Sequence, residues 1–473
     1  MIKKILIANR GEIAVRIIRA CKEMGIQSVA VYSTADSHAL HVKIASEAYR
    51  IGDDPVAGYL NIHSLINVAL ESGCDAVHPG YGFLSENAGF AKACEKNGIK
   101  FIGPKSSVIK KLGDKIQARQ TMIAANVPVT PGSEHNLETV EEAVELANDI
   151  GYPVMLKATN GGGGRGIREC FSEKELRHNY PRVISEAGKA FGSPNVFIEK
   201  CIVNPKHIEV QILADEHGNT IHLYERDCSI QRRHQKLIEI APSPQLTEQQ
   251  REFIGQTAVQ AAKAAKYTNA GTVEFLLDRS GNFYFMEVNT RLQVEHTITE
   301  EITGVDIVRE QISIANGNKL RFKQEEIVKR GFAMEFRINA EDPQNDFLPS
   351  YGQITRYYAP GGPGVRTDSS IYTGYIIPPY FDSMCAKLIV WAMTWEELIA
   401  RSKRALTDMR VYGVKTTVPY QFSILNSDDF TSAEFDTSFV EQHPELINYS
   451  VQCSNHHIAL ALAAAIVAHT GGL

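Results

Sequence analysis

A chain of 473 residues with 44% hydrophobic and 22% charged content is a soluble globular protein too long for one ordinary core, so two to four domains are expected. A net charge of -6 and a pI near 6.2 exclude a broad nucleic-acid surface but leave room for a local basic pocket. Eight cysteines without C-x-x-C spacing argue against a zinc site or a disulfide framework and favour the reducing cytoplasm.

The N-terminus is too short in apolar residues for a signal peptide and reads as a strand, Ile5 to Ala8. A turn at Asn9-Arg10-Gly11, a helix from Glu12 to Met24 and a strand from Ser28 to Tyr32 make a βαβ start to a parallel sheet. Only Gly11 stands where a dinucleotide site needs three glycines, so a nicotinamide site is rejected. After a helix over about Asn61 to Glu71, His78-Pro79-Gly80-Tyr81-Gly82-Phe83-Leu84-Ser85-Glu86-Asn87 is either a shaped ligand loop at a strand end or an ordinary turn.

Tyr152 to Ala158 and Ile167 to Cys170 read as strands flanking Asn160-Gly161-Gly162-Gly163-Gly164-Arg165-Gly166. Glycines packed this closely let several N–H groups turn toward one anion, which suits a hairpin closing over a nucleotide's phosphates. No Gly-Lys-Ser/Thr follows, so this is not a Walker loop. Two further strands, Val196 to Lys200 and Lys206 to Gln211, carry Glu199 and Glu209. The run from Glu225 to Lys236 then gathers Arg226, Arg232, Arg233, His234 and Lys236. Such a run is most often solvated surface or a nucleic-acid patch; in an acidic chain with a glycine loop, a pocket for phosphates and a small anion is the stronger reading.

Thr272 to Leu277, the turn residues Asp278 to Asn282 and Phe283 to Val288 form a predicted hairpin. A four-residue turn, Arg279 to Asn282, sets Glu274 opposite Glu287. Carboxylates about 5 Å apart repel unless a cation separates them. Asn289, two residues on, adds an oxygen to the same face, which fits Mg²⁺; the alternative is a solvent-facing edge. From Phe332 short strands alternate with turns, and Thr394-Trp395-Glu396-Glu397 is a capping box opening a helix to about Met409. The apolar run Ile458 to Ala468 is well short of the roughly 20 residues that span a bilayer, and reads as a terminal helix packed on its own domain or a partner.

The words ANRGEIAVR, HPGYGFLSEN, KATNGGGGRGI, ERDCSIQRRHQK, FMEVNTRLQVEH and RINAEDP, in this order, carry a resemblance to the biotin carboxylases of the ATP-grasp superfamily, to about residue 445. The resemblance implies an α/β and α+β architecture: an N-terminal parallel-sheet βαβ domain over 1–114, an ATP-grasp domain over 115–330 with a glycine-loop lid over about 130–205, a C-terminal α+β domain over 331–445 and a tail over 446–473. It implies that ATP phosphorylates bicarbonate to carboxyphosphate, whose carboxyl group passes to N1 of biotin.

By the same resemblance, Lys115, Lys157, Glu199, Lys200, Ile202, His207, Gln231 and His234 contact ATP, together with Glu274, Glu287 and the loop Gly161, Gly162, Gly163, Gly164, Arg165 and Gly166. Glu274, Glu287 and Asn289 match ligands of Mg²⁺ or Mn²⁺. Lys236, Arg291, Gln293 and Val294 match the bicarbonate pocket, with Glu295 as its base. Arg337 matches the residue that stabilises the biotin enolate, and Tyr81 and Gly82 a biotin-side loop. The catalytic set is thus Glu295, Arg337, Lys236 and Arg291, and His296 is expected to be structural. Arg19, Glu23 and Arg366 match a homodimer interface, although Pro363 departs from the usual aromatic. Thr297 and Glu239-Ile240 are more like pyruvate carboxylases than acyl-CoA carboxylases, which points to pyruvate or another 2-oxo acid. No Met-Lys dipeptide occurs, so biotin is expected on a carrier from another polypeptide, with a separate carboxyltransferase.

Overall fold

The computed structural model describes residues 1–159 and 166–449, together with 459, 462, 463, 465, 466 and 469. The alternation of apolar strands with an amphipathic helix builds the N-terminal region as read. β1 (Lys4–Ile7), α1 (Gly11–Glu23), β2 (Gln27–Tyr32), β3 (Glu47–Arg50), β4 (Ala76–His78) and β5 (Lys100–Phe101) form a parallel sheet in the order β3-β2-β1-β4-β5. Ile13, Ile17 and Cys21, at helical spacing, bury one face of α1 against Ile5 and Ile7. Fully burying each such side chain contributes about 1.5–3 kcal/mol.

Asp114 caps α2 (Lys115–Ala124) by accepting from the amides of Ile116 and Gln117. A small antiparallel sheet follows, in the order β7-β6-β8, from β6 (Val154–Ala158), β7 (Ile167–Cys170) and β8 (Val196–Lys200). Helices α3 (Val140–Ile150) and α4 (Glu173–Phe191) contribute Ala143, Ala147, Leu176 and Val183 to the core against Leu156 and Ile198. The Ala158 amide donates to the Gly166 carbonyl at 2.8 Å, which brings the ends of the glycine-rich loop together. Residues 160–165 of that loop lie outside the described residues.

The largest sheet has eight strands. β9 (Lys206–Ala214), β10 (Thr220–Arg232), β11 (Gln235–Ala241), β12 (Asn269–Leu277) and β13 (Phe283–Asn289) continue into β14 (Phe332–Asn339), β15 (Val365–Ser369) and β16 (Met384–Ala392), in the order β13-β12-β9-β10-β11-β14-β16-β15. Three of the late strands thus extend this sheet, while the shorter ones pair among themselves: Glu341–Asp342 with Leu348–Pro349, Gly352–Gln353 with Ile376–Ile377, and Arg356–Tyr358 with Arg410–Tyr412. One face packs Ile208, Val210, Val273 and Phe275 against Ile254, Ala258 and Ala261 of α5 (Glu248–Ala264). The other carries charge, against which α6 (His296–Thr303) lies. Thr394 caps α7 (Trp395–Asp408) by accepting from the Glu397 amide.

Residues 459, 462, 463, 465, 466 and 469 are helical and exposed; the rest of the predicted Ile458 to Ala468 helix lies outside the described residues. No helix among the described residues is long and apolar enough to cross a membrane.

Candidate active site

The hairpin forms with Glu274 opposite Glu287, by a different route from the one the turn suggested. Leu277 pairs with Phe283, so the turn has five residues, Asp278 to Asn282, closed by the Asp278 carboxylate accepting from the amides of Ser280 and Asn282 at 2.9 Å each. Phe275 then pairs with Phe285, and a β-bulge at Met286 shifts the register by one. The bulge restores Glu274 to Glu287 and returns the acidic side chains to the polar face.

Strand alternation builds the rest of that face. Glu274 pairs with Glu209 across β12 and β9, and Glu209 with Arg226 across β9 and β10. Arg226 is fully buried; its guanidinium bonds Glu209, Gln211 (2.8 Å), Thr299 (2.9 Å) and Thr272 (3.0 Å). The Lys236 ammonium stands 2.6 Å from Glu209 Oε2, 3.4 Å from Glu274 Oε1 and 2.6 Å from Glu295 Oε1. Glu295 has no exposure, and its second oxygen accepts from Arg337 Nη2 at 3.0 Å. Arg337 Nε is held by Glu239 at 2.6 Å.

Burial alone would push the Glu295 carboxyl upward, but Lys236, Arg337 and Arg226 outweigh it and hold the group well below the usual carboxylate range. Burial likewise opposes the Lys236 charge, and the surrounding Cys228, Glu209, Glu274 and Glu295 hold its pKa well above the ordinary lysine value. Glu274 is also held down against burial, by Lys236 and His207. The centre is thus an ionised carboxylate and an ionised ammonium kept charged in a buried site.

Arg291 lies beside this centre. Its Nε donates to Glu86 at 2.9 Å, and its Nη groups to Gln293 (2.9 Å) and the Asn289 amide oxygen (3.2 Å). Asn289 Nδ2 donates to Glu274 Oε1 at 2.6 Å. Val294 is half-buried, and its carbonyl accepts from the buried Lys387 ammonium. His296 is fully buried, with Nδ1 2.8 Å from the Gln293 carbonyl, a structural contact.

The predicted nucleotide residues are divided between the small sheet, which carries Lys157, Glu199 and Lys200, and the long sheet, which carries His207 and Gln231, with Lys115 at the start of α2. Lys157 pairs with Glu199, whose other oxygen accepts from Thr130 at 3.1 Å; Lys200 reaches the Gly151 and Tyr152 carbonyls at 2.8 and 3.1 Å. His207 Nε2 lies 2.9 Å from Glu274, Lys115 lies 3.8 Å from Glu287, and Ile202 is half-buried. Gln231 sits opposite Lys236 across β10 and β11. His234, with φ +63°, is an exposed turn residue.

The basic run is divided more than its composition suggested. Arg226 faces inward and Lys236 faces the site, whereas Arg232 and Arg233 pair with Asp346. Gly161, Gly162, Gly163, Gly164 and Arg165 lie outside the described residues; Gly166 is buried with φ +70°.

The chemistry of the donor set fits a hard divalent ion. Glu274 and Glu287, opposite each other, and the Asn289 amide oxygen are hard oxygen donors that suit Mg²⁺ or Mn²⁺. Two other close groups, His207 with Glu209 and Glu274, and Glu209 with Cys228 and Glu295, include the carboxylates already bound to Lys236. The ammonium occupies the role a metal would have there.

The loop after β4 presents Tyr81, whose hydroxyl donates to Glu12 at 2.5 Å, and the exposed Gly82. Asn9 fixes it by donating to the Pro79 and Tyr81 carbonyls at 2.7 Å each. A Cβ on Gly80, at φ +63°, would meet Asn9 Nδ2 at 2.9 Å, so glycine is required there. On another face, Arg19 and Arg366 approach Asp368 at 3.9 and 2.7 Å, and Glu23 pairs with Arg309 at 3.3 Å.

Glu335 and Lys387 join the site although no sequence motif singled them out, and Glu86 and Arg226 join it although their motifs assigned them no role. Lys387 was detectable as the single charge in the apolar strand Met384–Ala392. Glu86 stands within its glycine-marked loop, but nothing in the sequence pairs it with Arg291.

A parallel N-terminal sheet, a small glycine-loop sheet and a long sheet bearing a buried row of charge define an enzyme of the ATP-grasp type. Family models match residues 1–109 as a biotin carboxylase N-terminal domain, 114–323 as the carbamoyl-phosphate synthase L chain ATP-binding domain, and 335–442 as a biotin carboxylase C-terminal domain. The chain belongs to the biotin carboxylase family. It is 53% identical over 471 residues to the 2-oxoglutarate carboxylase small subunit of Hydrogenobacter thermophilus, covering 100% of both chains. It is 55% identical over 447 residues to biotin carboxylase 1 of Bacillus subtilis, covering 94% of this chain and 99% of that one. Among solved structures, the biotin carboxylase domain dimer of the Hydrogenobacter enzyme, in complex with MgADP, ADP and bicarbonate, matches with a TM-score of 0.93 at 55% identity, over 95% of this chain and 99% of that one.

Proposed function

We propose that the chain uses ATP and bicarbonate to carboxylate biotin presented by a separate carrier, as the biotin carboxylase subunit of a multisubunit 2-oxo-acid carboxylase. The observation that carries this reading is the fully buried Glu295 carboxylate, set between Lys236 and Arg337 at the start of α6, six residues beyond the strand that ends in Asn289.

Bicarbonate is a weak nucleophile until it loses its remaining proton. Lys236 and Arg291 hold the anion, and Glu295 accepts that proton. An anion gripped by these cations shares their charge, which raises the proton affinity of Glu295 from its depressed resting value. The bicarbonate oxygen then attacks the terminal phosphorus of ATP as the bond to ADP breaks, giving carboxyphosphate. Lys115, Lys157 and the loop ending in Gly166 hold the phosphates; Glu199, Lys200, Ile202, His207, Gln231 and His234 line the nucleotide side. Glu274, Glu287 and Asn289 would hold Mg²⁺ or Mn²⁺, which offsets phosphate charge when bound. Carboxyphosphate then breaks the bond between its carboxyl carbon and the oxygen bridging to phosphorus, and the released phosphate takes the N1 proton of biotin. N1 bonds to the freed carboxyl carbon while Arg337 faces the enolate oxygen and Tyr81 and Gly82 border the ring.

A 2-oxo-acid acceptor is supported by the match to the 2-oxoglutarate carboxylase small subunit, which extends through the tail beyond residue 445. Pyruvate is another member of that class, and 2-oxoglutarate is favoured by this match. The functional reading is tested by supplying the protein with biotinylated carrier, carboxyltransferase, ATP and labelled bicarbonate. Label should enter 2-oxoglutarate or pyruvate; label entering only an acyl-CoA contradicts the acceptor class. The homodimer is proposed to form on the face bearing Arg19, Glu23 and Arg366.

A further inference from the structure

The carboxyl oxygens Glu12 Oε1, Glu239 Oε2 and Glu335 Oε1 are buried without a hydrogen-bond partner among the described residues. They are linked in space. Glu239 and Glu335 are a direct cross-strand pair of β11 and β14, both without exposure, so their Cβ atoms stand about 5 Å apart. Lys387, itself fully buried, lies 3.7 Å from Glu335 Oε2 and 3.7 Å from Glu12 Oε1, too far for a hydrogen bond to either. Thr297 at the start of α6 donates its hydroxyl to Glu335.

Two ionised carboxylates at this separation repel, and an unpaired buried oxygen costs about 1–3 kcal/mol. One proton between Glu239 Oε2 and Glu335 Oε1 answers both problems. The groups facing the pair are Arg337 on β14, Lys387 on β16, Cys228 on β10, Lys236 on β11, Glu295 and Thr297 at α6, and Tyr81 in the loop after β4. Burial lifts Glu239 to about 7 against Arg337, with Glu295 adding to the rise; it lifts Glu335 to about 8 against Lys387, with Glu239 adding.

We propose that Glu239 is a positioning residue for biotin carboxylation: it shares one proton with Glu335 and grips Arg337 Nε, fixing the guanidinium across Glu295. Loss of that proton builds a second negative charge beside Arg337 and weakens its pull on a developing oxyanion. The inference rests on the biotin carboxylase reading above.

The test compares bicarbonate-dependent ADP release with and without free biotin from about pH 6 to about pH 9, in wild type, Glu239→Gln and Glu335→Gln. The biotin-stimulated share in wild type should fall as pH rises through the range set by the pair. Glu335→Gln, which fixes the neutral form, should remove that dependence. Glu239→Gln should lower the biotin-stimulated share by about tenfold. If Glu239→Gln does not fold, judged by melting, Glu239→Asp, too short to reach Arg337, should show the same drop. Equal loss of both activities in the Glu239 variant, or an unchanged pH profile in Glu335→Gln, overturns the inference. A wild type with no bicarbonate-dependent ADP release refutes the functional reading instead, which keeps the two failures apart.

Discussion

Glu295→Gln perturbs the centre of the site with almost no change in volume. The wild-type carboxylate accepts two charge-assisted bonds, from Lys236 at 2.6 Å and Arg337 at 3.0 Å. The amide offers one oxygen, so one of the two buried cations faces an N–H₂ donor. Losing one bond to a charged group costs about 1.5–3 kcal/mol, which should appear as a lower melting temperature of a folded protein. The chemical loss is larger. Removal of a general base lowers turnover by about 10²- to 10⁴-fold, or about 3–5 kcal/mol of barrier. Nucleotide affinity, which depends on other side chains, should stay within about threefold by calorimetric titration. Near-normal bicarbonate-dependent ADP release from folded Glu295→Gln would refute the assignment of Glu295 as base.

Arg337→Ser should slow biotin carboxylation by about tenfold more than it slows biotin-independent ATP cleavage, since the guanidinium serves the second step; equal losses would remove it from biotin. Gly132→Ala places a Cβ 2.6 Å from the Ile198 carbonyl and 2.8 Å from Glu199 Cβ, so it should destabilise by about 1–3 kcal/mol and weaken nucleotide binding through Glu199; an unchanged melting temperature and affinity would refute that packing argument. Glu335 has a raised folded pKa, near 8, so between its unfolded value near 4.5 and about 8 the native state binds the extra proton and stability falls as pH rises. Glu335→Gln should therefore raise the melting temperature relative to wild type above about pH 8 and leave it little changed near pH 5, as read by thermal scans; an equal shift at both pH values would contradict this sign.

The architecture was legible wherever periodicity was strong. The βαβ start, the strands flanking the glycine loop and the hairpin from Thr272 all appear in the structure with end shifts of a few residues at most. The Glu274 to Glu287 pairing is instructive because two departures cancelled: a turn one residue longer than supposed, and a bulge at Met286. Local composition specified the turn chemistry but carried no signal for a bulge. The basic run after Glu225 was less legible, because composition does not state which way each side chain points. Strand register sends Arg226 to Glu209 and a tight turn sends Arg233 outward. The carboxylate pair Glu239 and Glu335 was invisible, since strands β11 and β14 are far apart in the chain and their pairing is a tertiary fact.

The most direct test of the central claim is ADP release measured with and without bicarbonate and free biotin, with labelled bicarbonate as the carbon source. Release should require bicarbonate and rise with biotin, with label recovered on biotin. ADP release indifferent to bicarbonate, or an absence of labelled biotin, would contradict it.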